Sequence, residues 1–228
     1  MLHSYEHARP SVTVDCAVFG LDGDQLSVLL VERAVPPFEG CWALPGGFVG
    51  IDEDLEAAAR RELEEETGIA LTWLEQLYTF GAPDRDPRGR VITVAFYALV
   101  KTTRDGLRGS TDARDARWFP ADAHPALAFD HDAILAVARA RLRSKVSWQP
   151  VGFELLPERF TLTQLQQLYE TVLGRSLDKR NFRRKVLALG LLAETEVRSS
   201  GPGRPARLYR FDRDEYARLE AEGFVFEL

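Results

Sequence analysis

The first two thirds of the chain show short β-rich runs, interrupted by two longer stretches with a helical period. In the first of these stretches, Leu55, Ala59 and Leu63 recur four residues apart and therefore share one helix face. The second is amphipathic from about 131 to 144. Strands are predicted at 11–20, 26–33, 74–82, 91–100 and 117–120. This order of elements predicts an α/β sandwich in which a mixed sheet lies between helices.

The last third of the chain has a different pattern. Thr161 and Gln164 have the spacing of a capping box, and the helix that they begin ends at Gly174. A second helix is predicted at about 178–189, and Gly190 ends it. A Gly/Pro turn with arginines then leads into a strand. Two helices joined by a short turn and followed by such a hairpin predict a winged helix-turn-helix.

Charge divides the chain in the same way as the elements do. The net charge is −6, but ten basic residues oppose three acidic residues between 175 and 210, so this segment carries about +7. Residues 146–160 contain two prolines and show no clear period. We therefore predict two domains, residues 1–147 and residues 148–228, with separate roles.

Composition excludes several classes of protein. No apolar run approaches the length of a membrane span, and the N-terminus lacks the pattern of a signal peptide. Cys16 and Cys41 are the only cysteines, so a disulfide framework is excluded. We expect a cytoplasmic protein with no membrane partner.

The densest chemistry lies in GGFVGIDEDLEAAARRELEEETGI, residues 46–69, where a glycine turn leads into a carboxylate-rich helix. Residues three and four apart share a helix face, so Glu62, Glu65 and Glu66 point together and repel one another. A Mg²⁺ or Mn²⁺ ion would remove this repulsion and would activate water against a pyrophosphate. Glu53 and Arg61 would assist, Arg61 by orienting the carboxylates. The alternative is a solvated, Glu-rich helix, which the glycines and the preceding WALP make less favoured.

These spacings fill every fixed position of the Nudix box. The fixed positions are Gly47, Glu53, Arg61, Glu62, Leu63, Glu65, Glu66, Gly68 and Ile69. A general base could lie outside the box. Asp112, Asp115 and the pair Asp130-His131 are candidates that the sequence does not rank.

The second predicted helix of the C-terminal domain is the candidate DNA-binding element. Arg180 and Arg184 are one helical turn apart and project along the same side, and Asn181 can read adenine with two hydrogen bonds. We predict phosphate contacts at three further basic residues of this helix, Lys179, Arg183 and Lys185. The hairpin, with Arg204 and Arg207, would contact the DNA backbone or the minor groove. The alternative is a winged helix that contacts another protein.

The chain resembles a known family along nearly its whole length. Three stretches are similar to Nudix domains of the ADP-ribose pyrophosphatase type, namely PFEGCWALPGGFV, DRDPRGR and LAFDHDAIL. Two later stretches resemble the winged helix of NrtR, the Nudix-related transcriptional regulators of NAD metabolism. They are FTLTQLQQLYETVLGRSLDKRNFRRKV and GRPARLYRF. The resemblance implies an α/β Nudix sandwich with a C-terminal winged helix-turn-helix. It also implies a bacterial, cytosolic homodimer that senses ADP-ribose and represses genes of NAD synthesis or salvage. By the same resemblance, Arg85, Asp86 and Arg88 would lie near the ligand, with Gly46 and Gly47 of the box.

Three hypotheses remain open at this point. The first is a repressor that ADP-ribose releases from a double-stranded DNA operator. The second is a Mg-dependent ADP-ribose pyrophosphatase, because the box is intact here whereas many NrtR regulators carry a degraded one. A third, less favoured hypothesis is a regulator that senses a neutral sugar. The sequence specifies neither the operator, nor the regulated genes, nor whether the box is catalytically active.

Overall fold

The structure is a computed structural model that describes residues 6–22, 25–71, 73–102, 107, 113–198 and 205–227. It contains two compact units. The first unit is formed by the described residues up to Gly20 and within Ser27–Arg139, and the second by those within Leu21–Leu26 and from Ala140 onward. In chain order the elements are β1 (Ser11–Asp22), β2 (Gln25–Arg33), β3 (Trp42–Ala43), β4 (Gly46–Phe48), α1 (Leu55–Thr67), β5 (Glu75–Phe80), β6 (Val91–Lys101), β7 (Ala113–Pro120), α2 (His131–Trp148), a 3₁₀ helix (Pro150–Leu155), α3 (Leu162–Leu173), α4 (Lys179–Ala188), β8 (Leu192–Arg198), β9 (Arg207–Phe211) and α5 (Arg213–Ala221).

The first unit is built on a sheet with the strand order β3-β2-β1-β6-β5. Two further strands belong to it, since β4 pairs with β1 and β7 pairs with β2. The β1–β4, β2–β3, β2–β7 and β5–β6 pairs are antiparallel, and the bridge between Trp42 and Leu127 is parallel. The predicted strands are all present, and β7 begins four residues earlier than the sequence predicted. These elements confirm the predicted mixed sheet with helices.

Helix α1 is seated on this sheet by the apolar stripe that the sequence predicted. Ala59 and Leu63 are fully buried against Val14, Cys16 and Val18 of β1. Since side chains alternate across a strand, Thr13 and Asp15 lie on the opposite face of β1. Val14, Cys16 and Val18 therefore face the α1 core, whereas Thr13 and Asp15 supply polar groups on the other face of the strand.

In the second unit, α3 begins with the predicted capping box, in which the Thr161 hydroxyl accepts from the backbone N–H of Gln164 and the Gln164 side chain accepts from the backbone N–H of Thr161. Gly174, at φ 67°, ends the helix in the left-handed conformation. Tyr169 of α3 packs on Phe182 of α4 with their ring centroids 5.6 Å apart. The β8–β9 hairpin forms the wing. Helix α5 was not predicted from the sequence.

Helix α4 packs on its unit through Phe182 and Val186, which are both buried. These residues are four apart and therefore share one helix face, whereas Leu187, the next residue round the helix, is exposed.

Candidate ligand pocket and basic helix

The glycine turn and helix α1 form one wall of a pocket in the first unit. Asp54 caps the helix by accepting hydrogen bonds from the backbone N–H groups of Glu56 and Ala57, and Gly68, at φ 75°, ends it. A side chain on Gly46 would approach the Val14 carbonyl oxygen to 2.1 Å. One on Gly47 would approach the Glu62 carboxylate to 2.5 Å. Glycine at both positions lets the backbone pass directly against the strand and the helix carboxylates.

Two of the three predicted metal-binding glutamates line this pocket. Glu66 accepts a hydrogen bond of 2.9 Å from the backbone N–H of Gly46. Burial raises the pKa of Glu66 to about 8, although the bond from Gly46 acts in the opposite direction. Burial also raises the pKa of Glu62, against the effect of Arg61. Glu65 is exposed and does not line the pocket.

Arg61 joins the carboxylates of the box to one another. Its guanidinium binds both oxygens of Glu53 at 2.8 and 2.9 Å and donates to Glu62 at 2.8 Å. A longer bond of 3.3 Å reaches Glu65. Hydrogen bonds from Arg61 lower the pKa of Glu53 to about 2, with a further contribution from the Gly50 N–H. The orienting contacts that the sequence analysis assigned to Arg61 are therefore present.

Arg85 is buried at the pocket and is held by two aspartates. Its Nη2 lies 2.6 Å from Asp130 Oδ1 and its Nε lies 3.0 Å from Asp130 Oδ2. Nη2 also lies 3.5 Å from Asp15 Oδ2, and Asp15 Oδ1 lies 3.4 Å from His131 Nε2. His131 Nδ1 accepts a hydrogen bond from the backbone N–H of Leu44, which leaves the proton of a neutral ring on Nε2.

Arg88 is paired with Asp86 in the same loop. Its Nη2 lies 2.7 Å from Asp86 Oδ2 and its Nε lies 3.0 Å from Asp86 Oδ1. Burial by itself would raise the pKa of Asp86, but the hydrogen bonds from Arg88 outweigh it and lower the pKa. The guanidinium also lies 5.0 Å from the ring centre of Phe48 and 5.5 Å from that of Phe129.

The pocket encloses about 280 Å³. Its lining carries four carboxylates and three guanidinium groups, with His131 in addition. The charged members are Asp15, Glu62, Glu66, Asp86, Arg33, Arg85 and Arg88. With His131 neutral and all four carboxylates ionised, as they would be around a bound cation, these charges sum to −1, so a pyrophosphate has no excess of protein cations to bind.

This lining fits a divalent cation whose ligands come partly from the protein and partly from a bound phosphate and water. Mg²⁺ is usually held by one or two protein carboxylates together with substrate phosphates and waters. Glu62 and Glu66 supply such a pair of hard oxygen donors on one wall. Among the described residues no group of three or more His, Cys, Asp or Glu side chains converges as a complete metal site.

Part of the pocket was not predicted from the sequence. Asp15 lies between Val14 and Cys16 in a mainly apolar strand, and a carboxylate at such a position is a signal that could have identified it. The pocket is also lined by Arg33, Phe48 and Phe129. Phe129 has a φ of 55°, a conformation that the sequence around it does not indicate.

The candidates for a general base differ in how they lie relative to the pocket. Asp130 is paired with Arg85, whereas His131 is buried in the pocket lining. Asp115 lies in β7, where it pairs with Arg117 and does not line the pocket. Asp112 lies outside the described residues.

The second candidate site is the basic helix α4. Asp178 caps its N-terminus by accepting a 2.7 Å hydrogen bond from the backbone N–H of Asn181. Lys179, Arg180 and Lys185 are exposed. Their ammonium and guanidinium groups can therefore reach a polyanion.

The remaining DNA-binding candidates make contacts within the unit. Arg184 donates to the Asn181 side chain at 2.7 Å, and Arg183 is half-buried and donates to the Thr163 hydroxyl at 3.0 Å. In the wing, Arg207 pairs with Glu194 at 2.9 Å. Arg204 lies outside the described residues.

Comparisons with known proteins match both units. A family model of the NUDIX domain matches residues 9–139, and a model of the NrtR DNA-binding winged helix domain matches residues 152–211. The chain is also 40% identical over 217 residues to the ADPR responsive transcriptional repressor NtrR of Acinetobacter baylyi, a match that covers 92% of this chain and 86% of that protein. The chain belongs to the NrtR family. The predicted family and the predicted fold class are therefore confirmed.

Solved structures of NrtR resemble both the whole chain and its first unit. The crystal structure of Shewanella oneidensis NrtR complexed with a 27mer DNA has a TM-score of 0.77 and 37% identity, and the match covers 90% of this chain and 95% of that one. The NUDIX domain of Shewanella oneidensis NrtR complexed with ADP ribose has a TM-score of 0.56 and 39% identity, over 60% of this chain and 90% of that one. In the described part of this NrtR-family chain, no helix has the length and apolar character needed to cross a membrane.

Proposed function

We propose that this protein is an ADP-ribose-responsive, DNA-binding repressor of NAD metabolism genes. It acts as a cytoplasmic homodimer on a double-stranded operator, with residues 1–147 as the sensing domain and 148–228 as the DNA-binding domain. The observation that carries the proposal is the presence of a carboxylate- and arginine-lined pocket and an exposed basic helix in one chain. The relative from Acinetobacter baylyi, named as an ADPR responsive repressor, supports the same conclusion.

The pocket suits a pyrophosphate that arrives with a divalent cation. Glu62 and Glu66 would hold Mg²⁺ or Mn²⁺, whereas Glu65, which the sequence also predicted as a metal ligand, is bonded to Arg61 outside the pocket. Arg85, Asp86, Arg88, Gly46 and Gly47 all line the cavity, as a ligand-binding role requires. The complex of a related NUDIX domain with ADP ribose supports this choice of ligand.

The basic helix suits the major groove of DNA. Arg180, Asn181 and Arg184 lie within one helical turn, and Lys179 and Lys185 flank them at positions suited to phosphate contacts. Arg204 and Arg207 complete the proposed DNA-binding set, whereas Arg183, which the sequence also predicted to contact DNA, is bonded to Thr163 and contributes less. A related NrtR complexed with a 27mer DNA supports this role for the domain.

Repression that responds to a ligand requires the two sites to be coupled. Helix α2 runs without a break from His131, in the pocket lining, to Trp148, and its residues belong to both units. A hundredfold weakening of DNA binding corresponds to about 2.7 kcal/mol of coupling free energy. The ligand supplies this energy only if it favours a dimer geometry that does not match the two half-sites.

The test is an operator-binding titration with the full chain, in Mg²⁺, with and without ADP-ribose. We expect the operator affinity to fall at least tenfold when ADP-ribose is added. The double variant Arg180→Ala/Arg184→Ala should lose operator binding and keep its ADP-ribose affinity. An operator-bound fraction that ADP-ribose leaves unchanged would refute the proposed regulation.

A second candidate function is Mg-dependent ADP-ribose pyrophosphatase activity, which the placement of Glu62 and Glu66 in the pocket favours. Glu62 and Glu66 would hold Mg²⁺, which would supply Lewis-acid chemistry for a hydrolysis in which water breaks one P–O bond of the pyrophosphate bridge and gives AMP and ribose 5-phosphate. Glu53 and Arg61 would keep Glu62 oriented during this step. The Glu66→Gln variant, assayed for hydrolysis and for operator release, separates the two functions. Lost hydrolysis with retained release would show that sensing does not need the chemistry.

A further inference from the structure

The turn between α3 and α4 is held by one residue of α3. Glu170 accepts through its backbone carbonyl from the N–H groups of Gly174 and Arg175, at 2.9 and 3.2 Å. Its carboxylate accepts from the backbone N–H of Leu177 at 2.8 Å and from the Gln166 side chain at 3.1 Å. Three of the five backbone N–H groups between the two helices are therefore bonded to a single residue.

Leu177 is held at both of its backbone polar groups. The Gln166 amide nitrogen that binds Glu170 also donates to the Leu177 carbonyl oxygen at 3.1 Å. The two side chains thus form a polar clamp, in which Gln166 binds the carbonyl of Leu177 and Glu170 binds its N–H. The next residue, Asp178, is the N-cap of α4 and accepts from the backbone N–H of Asn181. The polar clamp therefore fixes the chain directly before the helix that carries the proposed base contacts.

The polar clamp supplies a directional contact that apolar packing does not. Helices α3 and α4 also pack through Tyr169 and Phe182, with ring centroids 5.6 Å apart. Apolar burial is non-directional, whereas hydrogen bonds fix both distance and angle. Reading a base edge with two hydrogen bonds requires angular precision, because two partner atoms must be met at once. Asn181 and Arg184 are joined by a 2.7 Å hydrogen bond and depend on the orientation of the same helix.

The Glu170 carboxylate lies where a negative charge is unfavourable. It belongs to the last turn of α3, at the negative pole of the helix dipole. It also belongs to the unit proposed to bind DNA, a polyanion that a carboxylate repels. The hydrogen bond from the Leu177 N–H, followed by that from Gln166, lowers the pKa of Glu170 and keeps the group a charged acceptor. The contribution of this acid therefore comes from the hydrogen bonds that its oxygen accepts and not from its charge.

We propose that Glu170 and Gln166 are positioning residues that set the orientation of α4 for base recognition. They act through Leu177 and Asp178 and not by touching DNA. The inference rests on the proposed DNA-binding function, and it assigns part of the sequence discrimination to two residues outside the basic set. Loss of the polar clamp should lower the preference for the operator and leave the attraction to phosphates unchanged.

The test compares two duplexes bound by the full chain. One is an operator that the wild-type chain selects from a randomised DNA pool, and the other is a shuffled duplex of the same length and composition. Glu170→Ala should weaken operator binding about tenfold, the effect of losing one base contact, and change binding of the shuffled duplex less than about twofold. Glu170→Gln keeps an oxygen that accepts from both Leu177 and Gln166, so operator affinity should stay within about threefold of the wild type.

A double variant tests whether the two side chains act as one unit. Gln166→Leu removes the hydrogen bond to the Leu177 carbonyl and should weaken operator binding by a similar factor. The double variant Gln166→Leu/Glu170→Ala should then lose about tenfold in operator affinity and not about a hundredfold, because both single substitutions release the same turn.

Two control variants separate orientation from charge and from phosphate contact. Glu215→Ala removes the same charge from α5, where the carboxylate is bonded to Arg218 of its own helix, and should leave the ratio of the two affinities unchanged. Lys179→Ala removes an exposed cation of α4 and should weaken binding of both duplexes by the same factor.

Two results for Glu170→Ala would overturn the positioning role. The first is a wild-type ratio of the two affinities. The second is an equal loss on both duplexes, which is the result expected of a second unit that is merely less stable. A wild-type chain that does not discriminate between any selected duplex and its shuffled form would instead refute the proposed function.

Discussion

The Arg85 guanidinium and the Asp130 carboxylate form a two-pronged ion pair, with bonds of 2.6 and 3.0 Å, at the pocket of the first unit. The Arg85 side chain is only 3% exposed. Among the described residues, loss of Asp130 would leave Asp15, 3.5 Å away, as the remaining ion-pair partner of this buried cation. We expect Asp130→Ala to lower the free energy of unfolding by about 2–4 kcal/mol.

Chemical denaturation of the full chain measures this loss. Arg114 and Glu39 form an ion pair at an exposed position, so Arg114→Ala is a suitable control. It should cost less than about 1 kcal/mol. Equal effects of the two substitutions would show that Arg85 does not depend on Asp130.

The stability of the first unit should depend on pH through His131. Burial lowers the pKa of this side chain below its ordinary 6.5, although Asp15 acts in the opposite direction. Below pH 6.5 the unfolded chain binds a proton that the folded chain does not, so stability is greatest above this pH and falls as the pH drops toward the folded pKa. The slope attributable to one such group is at most about 1.4 kcal/mol per pH unit.

His131→Asn tests this origin of the pH dependence. Asparagine can still accept from the Leu44 N–H but does not titrate. Thermal unfolding between about pH 5 and pH 7 should show a shallower pH dependence in this variant than in the wild type. An unaltered slope in His131→Asn would contradict the assignment.

Alanine at Gly46 should mainly lower stability, whereas alanine at Gly47 should mainly weaken ligand binding. At Gly46 the added methyl group would meet backbone, 2.1 Å from the Val14 carbonyl oxygen, so we expect a loss of about 3 kcal/mol in stability. At Gly47 it would meet the Glu62 carboxylate, the movable end of a side chain. Gly47→Ala should therefore cost less than about 1 kcal/mol but weaken Mg²⁺-dependent ligand binding, because Glu62 is displaced. Denaturation and calorimetry of both variants check this pair, and a stable Gly46→Ala would contradict it.

Arg183 should differ from its basic neighbours in DNA binding. Its Nη2 is bonded to Thr163 of α3, whereas Lys179 is exposed. Lys179→Ala should lower the slope of log affinity against log salt by about 1, the effect of one lost phosphate contact. Arg183→Ala should instead lower the stability of the second unit by about 1 kcal/mol and change the slope less. Equal slope changes would show that Arg183 contacts a phosphate, as its sequence position predicts.

Features that depend on residues close together in the chain could be predicted from the sequence. The box spacing fixed Glu62 and Glu66 on one helix face, and the capping box placed the start of α3 at Thr161. Both depend on contacts between residues three or four apart, which periodicity reports directly. The family resemblance followed from the same short patterns, so the fold class could be predicted before any tertiary contact was known.

The pocket depended on contacts between distant parts of the chain. Asp15, Arg85 and Asp130 are separated by 70 and 45 residues, and only the folded sheet brings them together. The tertiary structure likewise paired Arg88 with Asp86 beneath two phenylalanines, and it turned Glu65 away from the cavity. The sequence determined which helix carries the carboxylates because helical spacing is local. Which charges are already neutralised, and which surfaces are left for a ligand, is decided only when distant residues meet.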